Sequence, residues 1–186
     1  MIAGTAGVVV RPANADDFEA IAAIYRPAVV NSAISFETDP PDAAEMRQRW
    51  QRLMALGAPY IIAERESEIL GYANVRPFHE RAAYAWTVEN SIYVASHAQR
   101  RGVGHTLLDA LIKAAARAQY RQMVALIAAD AAAGSVELHR AHGFELCGRL
   151  KSVGHKHGRW HDVVYMQRAL GDGDTSDPVQ IASAKP

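Results

Sequence analysis

Six residues, Gln99-Arg100-Arg101-Gly102-Val103-Gly104, constrain this chain more than any others. They follow a strand-like run, 91–94, and open a helix-like run, 103–116. A loop with two glycines at that junction leaves free backbone N–H groups at a helix N-terminus, which is a seat for a phosphate or pyrophosphate. No GxxxxGK[ST] occurs, which argues against a nucleoside-triphosphatase loop. A third glycine at the GxGxxG spacing is also missing, which disfavours a dinucleotide fold.

The strand ahead of the loop alternates. Trp86, Val88, Ile92 and Val94 are apolar, with Asn90 the exception, while Thr87, Glu89, Ser91 and Tyr93 share the other face. Upstream, residues 8–10 read as a strand stopped by Pro12. Asn14 caps a helix carrying Phe18, Ile21, Ile24 and Tyr25 and ending at Arg26-Pro27. Asp39-Pro40-Pro41 starts a second helix, which stops at Gly57. Segments 60–63 and 69–75 form a hairpin, and a loop, 76–84, leads into the alternating strand. Downstream come a short strand, 123–127, a helix, 135–142, closed by Gly143, and strands 144–150 and 163–166. The order is that of a mixed α/β domain over residues 7–170. Residues 171–186 have turn formers and little periodicity, so they are expected to lack fixed structure.

Composition narrows the partners. The formal net charge is zero, which argues against nucleic acid. No apolar run reaches the roughly 18 to 20 residues that span a bilayer, and no signal peptide is evident at the N-terminus. Cys147 is the single cysteine, so a reducing, cytoplasmic setting is the simplest expectation, with the thiol buried and structural in its strand. His155, His157 and His161 have ligand-like spacing, yet no cysteine pair or HExxH accompanies them, and no metal is expected.

The loop matches the Q/R-x-x-G-x-G/A signature of Gcn5-related N-acetyltransferases. Ser135 to Phe144, a short helix running into Gly-Phe, resembles a later segment of that superfamily. Thr87 to Val94, Val153 to Gln167, Ile24-Tyr25, Ser35 to Thr38 and Arg76-Pro77-Phe78 resemble its phosphinothricin and methionine sulfoximine N-acetyltransferase branch. The likeness runs from about Val9 to Ala169. It implies the GNAT fold, a mixed, mostly antiparallel twisted sheet flanked by helices on both faces, with acetyl-coenzyme A as acetyl donor and a small amino-acid analogue as acceptor. A different amine acceptor, or a non-catalytic acyl-coenzyme A-binding module, stays open at this point.

The resemblance also implies roles. Backbone of Ile92, Tyr93 and Val94 would hold the thioester carbonyl and pantetheine arm, with Val94 the favoured donor. Arg100, Arg101, Gly102, Val103, Gly104 and His105 would hold the pyrophosphate, and Ser135 would touch the cofactor. Glu89 is the candidate general base, since an amine attacks a thioester only as the free base. His139 stands where many relatives have a Tyr thought to protonate the leaving thiolate; a packing role is equally consistent. Phe36, Thr38, Arg76, Pro77, Phe78, Asn90 and Ser91 are candidates on the acceptor side, with Arg76 as a carboxylate clamp. Arg81 and Tyr84 lie in the same loop. Related enzymes complete such pockets at a dimer interface, so a homodimer is expected, with residues 156–160 near the partner. One departure stands out: Ala132 replaces the family's Asn, a lost hydrogen bond worth about 1 kcal/mol.

Overall fold

Asn14 begins the first helical segment as its sequence suggests. Its side chain accepts from the Asp16 amide and Asp17 reaches back to the Asn14 amide, a reciprocal capping box. The computed structural model describes residues 6–130 and 133–179. The capped 3-10 turn, Ala15–Asp17, runs into α1, Phe18–Val30. Expected to end at Arg26-Pro27, α1 instead passes through Pro27, whose carbonyl accepts from Asn31. A proline in the last turn removes a single helix bond. Asp42 caps α2, Ala43–Ala55, by accepting from Glu45.

The strands are β1 (Val9–Pro12), β2 (Tyr60–Arg65), β3 (Glu68–Pro77), β4 (Thr87–Val94), β5 (Gln122–Ala128), β6 (Glu145–Lys156) and β7 (Arg159–Ala169). They form one sheet in the order β1-β2-β3-β4-β5-β7-β6. Every adjacent pair is antiparallel except β4–β5. Helix α3 (Val103–Arg117) and helix α4 (Ala133–Ala141) pack on one face around Leu107, Leu108, Leu111 and Phe144. Helices α1 and α2 cover the other face over β2 to β4, around Phe18, Ile21, Met46 and Tyr72. This is the mixed architecture expected. Tyr60, Tyr72 and Tyr93 stack across three strands at 5.7 and 5.3 Å, and Tyr25 closes the row edge-on at 4.8 Å.

Strands β6 and β7 are much longer than the sequence suggested. They join through His157-Gly158, both with positive φ, the signature of a tight two-residue hairpin. As the sheet edge, β6 is exposed along nearly its whole length, so it has no apolar alternation for a sequence reading to find. Cys147 corrects an expectation. It lies at a register shift of this edge strand and is exposed, not buried. The segment expected to lack structure is described as far as residue 179. Arg121 donates to the Gly173 and Ser176 carbonyls, and Trp86 Nε1 donates to the Val179 carbonyl.

Asp17 ties this frame together at its start. Its buried carboxylate receives two bonds of 2.8 Å from Arg11, which also pairs with Glu64 of β2. Arg11 holds the Asp17 carboxyl below the usual aspartate range. A carboxyl depressed on folding stabilises above its unfolded value and loses that contribution as pH falls through the folded one. Asp17→Asn is therefore expected to cost about 1.5–3 kcal/mol at pH 7 and progressively less as pH falls below the unfolded aspartate range, in urea titrations at pH 7 and at acidic pH. An equal loss at both would contradict the assignment.

Candidate functional site

The site begins where two parallel strands separate. Strand β4 pairs with β5 only from Thr87–Gln122 to Glu89–Val124, and then the two diverge. On its other side β4 stays paired with β3 to its end. The Phe78 amide donates to Thr87 and the Ala95 amide to Leu70, so odd-numbered residues of β4 spend their main-chain groups on β3. Ile92 and Val94 therefore turn their N–H and C=O groups into the fork. The Val94 carbonyl accepts from the Gln99 side chain at 3.3 Å, a contact sequence reading missed. Tyr93, expected beside Ile92 and Val94, is turned away. Its main chain pairs with Tyr72, and its ring belongs to the tyrosine row.

The glycine loop stands at the mouth of the fork. Gly102 caps α3 with φ +82°, a conformation that favours glycine, and Arg100 also has positive φ. The first helix bond runs from the Thr106 amide to the Gly102 carbonyl. The amides of Val103, Gly104 and His105 precede it, so they have no partner within the helix. Exposed Arg100 and Arg101 add charge. An anion gains about 0.3–1 kcal/mol from such a helix end before any direct bond. The His105 ring pairs with His142, Nδ1 to Nε2 at 3.1 Å, and so links α3 to the end of α4.

At the apex sits a buried pair. Asn90 is 6% exposed, with its amide nitrogen 3.4 Å from the Val124 carbonyl where pairing stops. His139 is 3% exposed, with Nε2 3.1 Å from the Asn90 side chain and Nδ1 2.7 Å from the Ser135 carbonyl. Phe144 meets its ring edge-on at 4.8 Å. Burial pushes the His139 imidazole down, opposed by the Ser135 carbonyl and assisted by nearby His142. Asn90 was expected on the acceptor side; it faces α4 instead, because even positions of β4 point to that face. Ser135 Oγ lies 3.3 Å from His139 Nδ1. Ala132 falls outside the described residues.

The opposite face holds the remaining candidates. Glu89 and Arg76 are directly opposed across β4 and β3, and Arg76 Nη2 donates to Glu89 Oε1 at 2.6 Å. Ser91 lies on this face next along β4 and Thr38 is exposed, while Pro77, paired with Val88, is exposed on the side of the sheet facing α3 and α4. Phe36 crosses Gly154 of β6, where any side chain would collide with its ring. The loop bearing Phe36 is fixed by groups not singled out from sequence. Lys156 Nζ donates to the Val29 and Ser35 carbonyls at 2.6 Å, and burial pushes that ammonium down. Glu37 accepts two bonds from Arg49 and one from Tyr25. Burial alone would raise Glu37; these partners hold it below the usual range. A pocket of about 240 Å³ opens beside Thr87 and Val124, walled by Phe78, Tyr84 and Tyr165, with Cys147 and Gln167 at its edge.

The three histidines of the β6–β7 hairpin do not converge. His155 packs on Trp160, His157 meets the Ser32 carbonyl, and His161 is buried with Nε2 on the Lys156 carbonyl. Among the described residues, no group of three or more His, Cys, Asp or Glu could hold a metal ion. No helix among them is long and apolar enough to cross a membrane.

Comparison with known proteins agrees with this geometry. Residues 10–165 match the model of the acetyltransferase (GNAT) domain. The chain is 45% identical over 169 residues to a phosphinothricin N-acetyltransferase of Alcaligenes faecalis, covering 91% of this chain and 86% of that one. It is 39% identical over 163 residues to an L-methionine sulfoximine/L-methionine sulfone acetyltransferase of Pseudomonas aeruginosa, covering 87% and 94%. A crystal structure of a phosphinothricin acetyltransferase from Sinorhizobium meliloti, in complex with acetyl-coenzyme A, superposes with a TM-score of 0.91. It shares 39% identity, over 96% of this chain and 97% of that one.

The apex pair makes a spectroscopic prediction. The Ser135 carbonyl and Asn90 Oδ1 are both acceptors, so each ring nitrogen faces one, and burial keeps the ring neutral. Nitrogen NMR is expected to find His139 neutral at pH 7 and titrating below the usual imidazole range. Titration at or above that range would contradict the assignment.

Proposed function

Because the chain belongs to the GNAT acetyltransferase family, we propose that it moves an acetyl group from acetyl-coenzyme A to the α-amine of a small amino acid analogue, of the phosphinothricin or methionine sulfoximine type. The observation that carries this reading is the fork. It offers main-chain groups of Ile92 and Val94 beside a helix N-terminus suited to a pyrophosphate, with Glu89 next to the point of divergence.

In the reading proposed, the amides of Val103, Gly104 and His105, with Arg100 and Arg101, hold the pyrophosphate. The pantetheine arm lies along Ile92 and Val94, and an amide there polarises the thioester carbonyl. Glu89 takes a proton from the acceptor's ammonium. The nitrogen lone pair attacks the carbonyl carbon, the C–S bond breaks, and coenzyme A departs as thiolate. His139, neutral and with both ring nitrogens engaged by Ser135 and Asn90, packs the apex, and the departing thiolate takes its proton from water. Phe36, Phe78 and Tyr84 supply apolar walls for the acceptor, and the pocket beside Thr87 takes its side chain. A second copy of the chain packs on the exposed β6 face, which carries Leu146, Leu150, Val153 and the neighbouring Trp160.

Two substitutions separate the halves of this reading. Gly102→Val forces a branched side chain into positive φ and is expected to weaken acetyl-coenzyme A binding about tenfold in calorimetry. Glu89→Gln is expected to lower kcat about 10²- to 10⁴-fold while cofactor affinity holds. A thiol-release assay over a panel of amino acids and simple amines reads the turnover. Unchanged kcat and pH profile in Glu89→Gln would remove Glu89 as the base. Cofactor binding with no turnover on any amine would remove the enzymatic reading.

A further inference from the structure

Arg76 and Glu89 are partners of unequal exposure. The Glu89 side chain is 12% exposed and the Arg76 side chain 57%. Arg76 spends Nη2 on the carboxylate, and its Nε and Nη1 have no hydrogen-bond partner among the described residues. One edge of the guanidinium therefore covers Glu89 while the other faces solvent. The remaining charges nearby are engaged: Glu37 by Arg49 and Tyr25, and Lys156 by two carbonyls.

We propose that the acceptor's own carboxylate opens this pair. It docks on Arg76 and draws the guanidinium away, while the ammonium of the same molecule takes the vacated place on Glu89. The inference rests on the reading above of Glu89 as base and an α-amino acid as acceptor. The exchange replaces one ion pair with two and conserves net charge, so the half-buried Glu89 carboxylate is never left unpaired. One ammonium proton then moves to Glu89, and the freed lone pair attacks the thioester. An amine without a carboxylate brings only the cation. It must share Glu89 with the like-charged guanidinium or leave Arg76 without a partner. Arg76 thus selects amino acids by attraction and rejects simple amines by repulsion.

The test measures kcat/KM for L-phosphinothricin and L-methionine sulfoximine, each against its α-carboxamide, in wild type, Arg76→Met and Arg76→Lys. Wild type is expected to favour the carboxylate forms about 100-fold or more. Arg76→Met is expected to lower the amino-acid rates about 100-fold and to raise the carboxamide rates several-fold. Arg76→Lys keeps the repulsion, so its carboxamide rates stay at the wild-type level while part of the amino-acid rate returns. Equal losses on both forms, or no loss on either, would overturn the exchange alone. A wild type that acetylates amines but neither amino acid would overturn the acceptor reading as well. Acetyl-coenzyme A affinity is expected to be unchanged in both variants; its loss would assign Arg76 to the fold and overturn the proposal.

Discussion

The divergence of β4 from β5 after Glu89–Val124 is the constraint on which the rest of the structure depends. A sheet normally consumes its main-chain groups internally. Here one strand stays bonded to β3 on one side and is left open on the other. The opening lies within the sheet and not at an edge, so it is walled on both sides. Helices α3 and α4 close it from one face, and Asn90 fills the apex, joined to both His139 and Val124. The fork is the part of the fold best suited to an extended ligand arm, and the helix end at its mouth suits the charged end of such a ligand.

The opposite face depends on the same strand. The odd residues of β4 run from Tyr93, locked in the tyrosine row, to Glu89, paired with Arg76. That row gives the sheet a rigid aromatic floor under α1. The loop after α1 is held down by Lys156 and by the Glu37–Arg49–Tyr25 group. Strand β4 thereby opens main-chain groups into the fork and carries a carboxylate on the face of the tyrosine row.

Much of this was legible in residue order. The glycine loop, the alternation of β4 and the sequence of elements each follow from local rules, and the structure keeps all three. Glu89 and Arg76 were both read from sequence, but their mutual contact was not, because it depends on a strand register across 13 residues. The hold of Lys156 on α1 spans more than 120 residues, so no local pattern reports it. Asn90 was read on the even face of β4, where the structure has it, but its buried partner His139 lies 49 residues away and no local pattern reports the pair. Edge strand β6, exposed nearly throughout, hid both its own length and the exposure of Cys147.

Residue-resolved hydrogen exchange with and without acetyl-coenzyme A tests the fork most directly. The account predicts that the cofactor slows exchange at the amides of Ile92, Val94, Val103, Gly104 and His105. Ser91 and Tyr93, already bonded to β3, are predicted to stay unchanged. Protection spread evenly along β4, or absent from Ile92 and Val94, would contradict it.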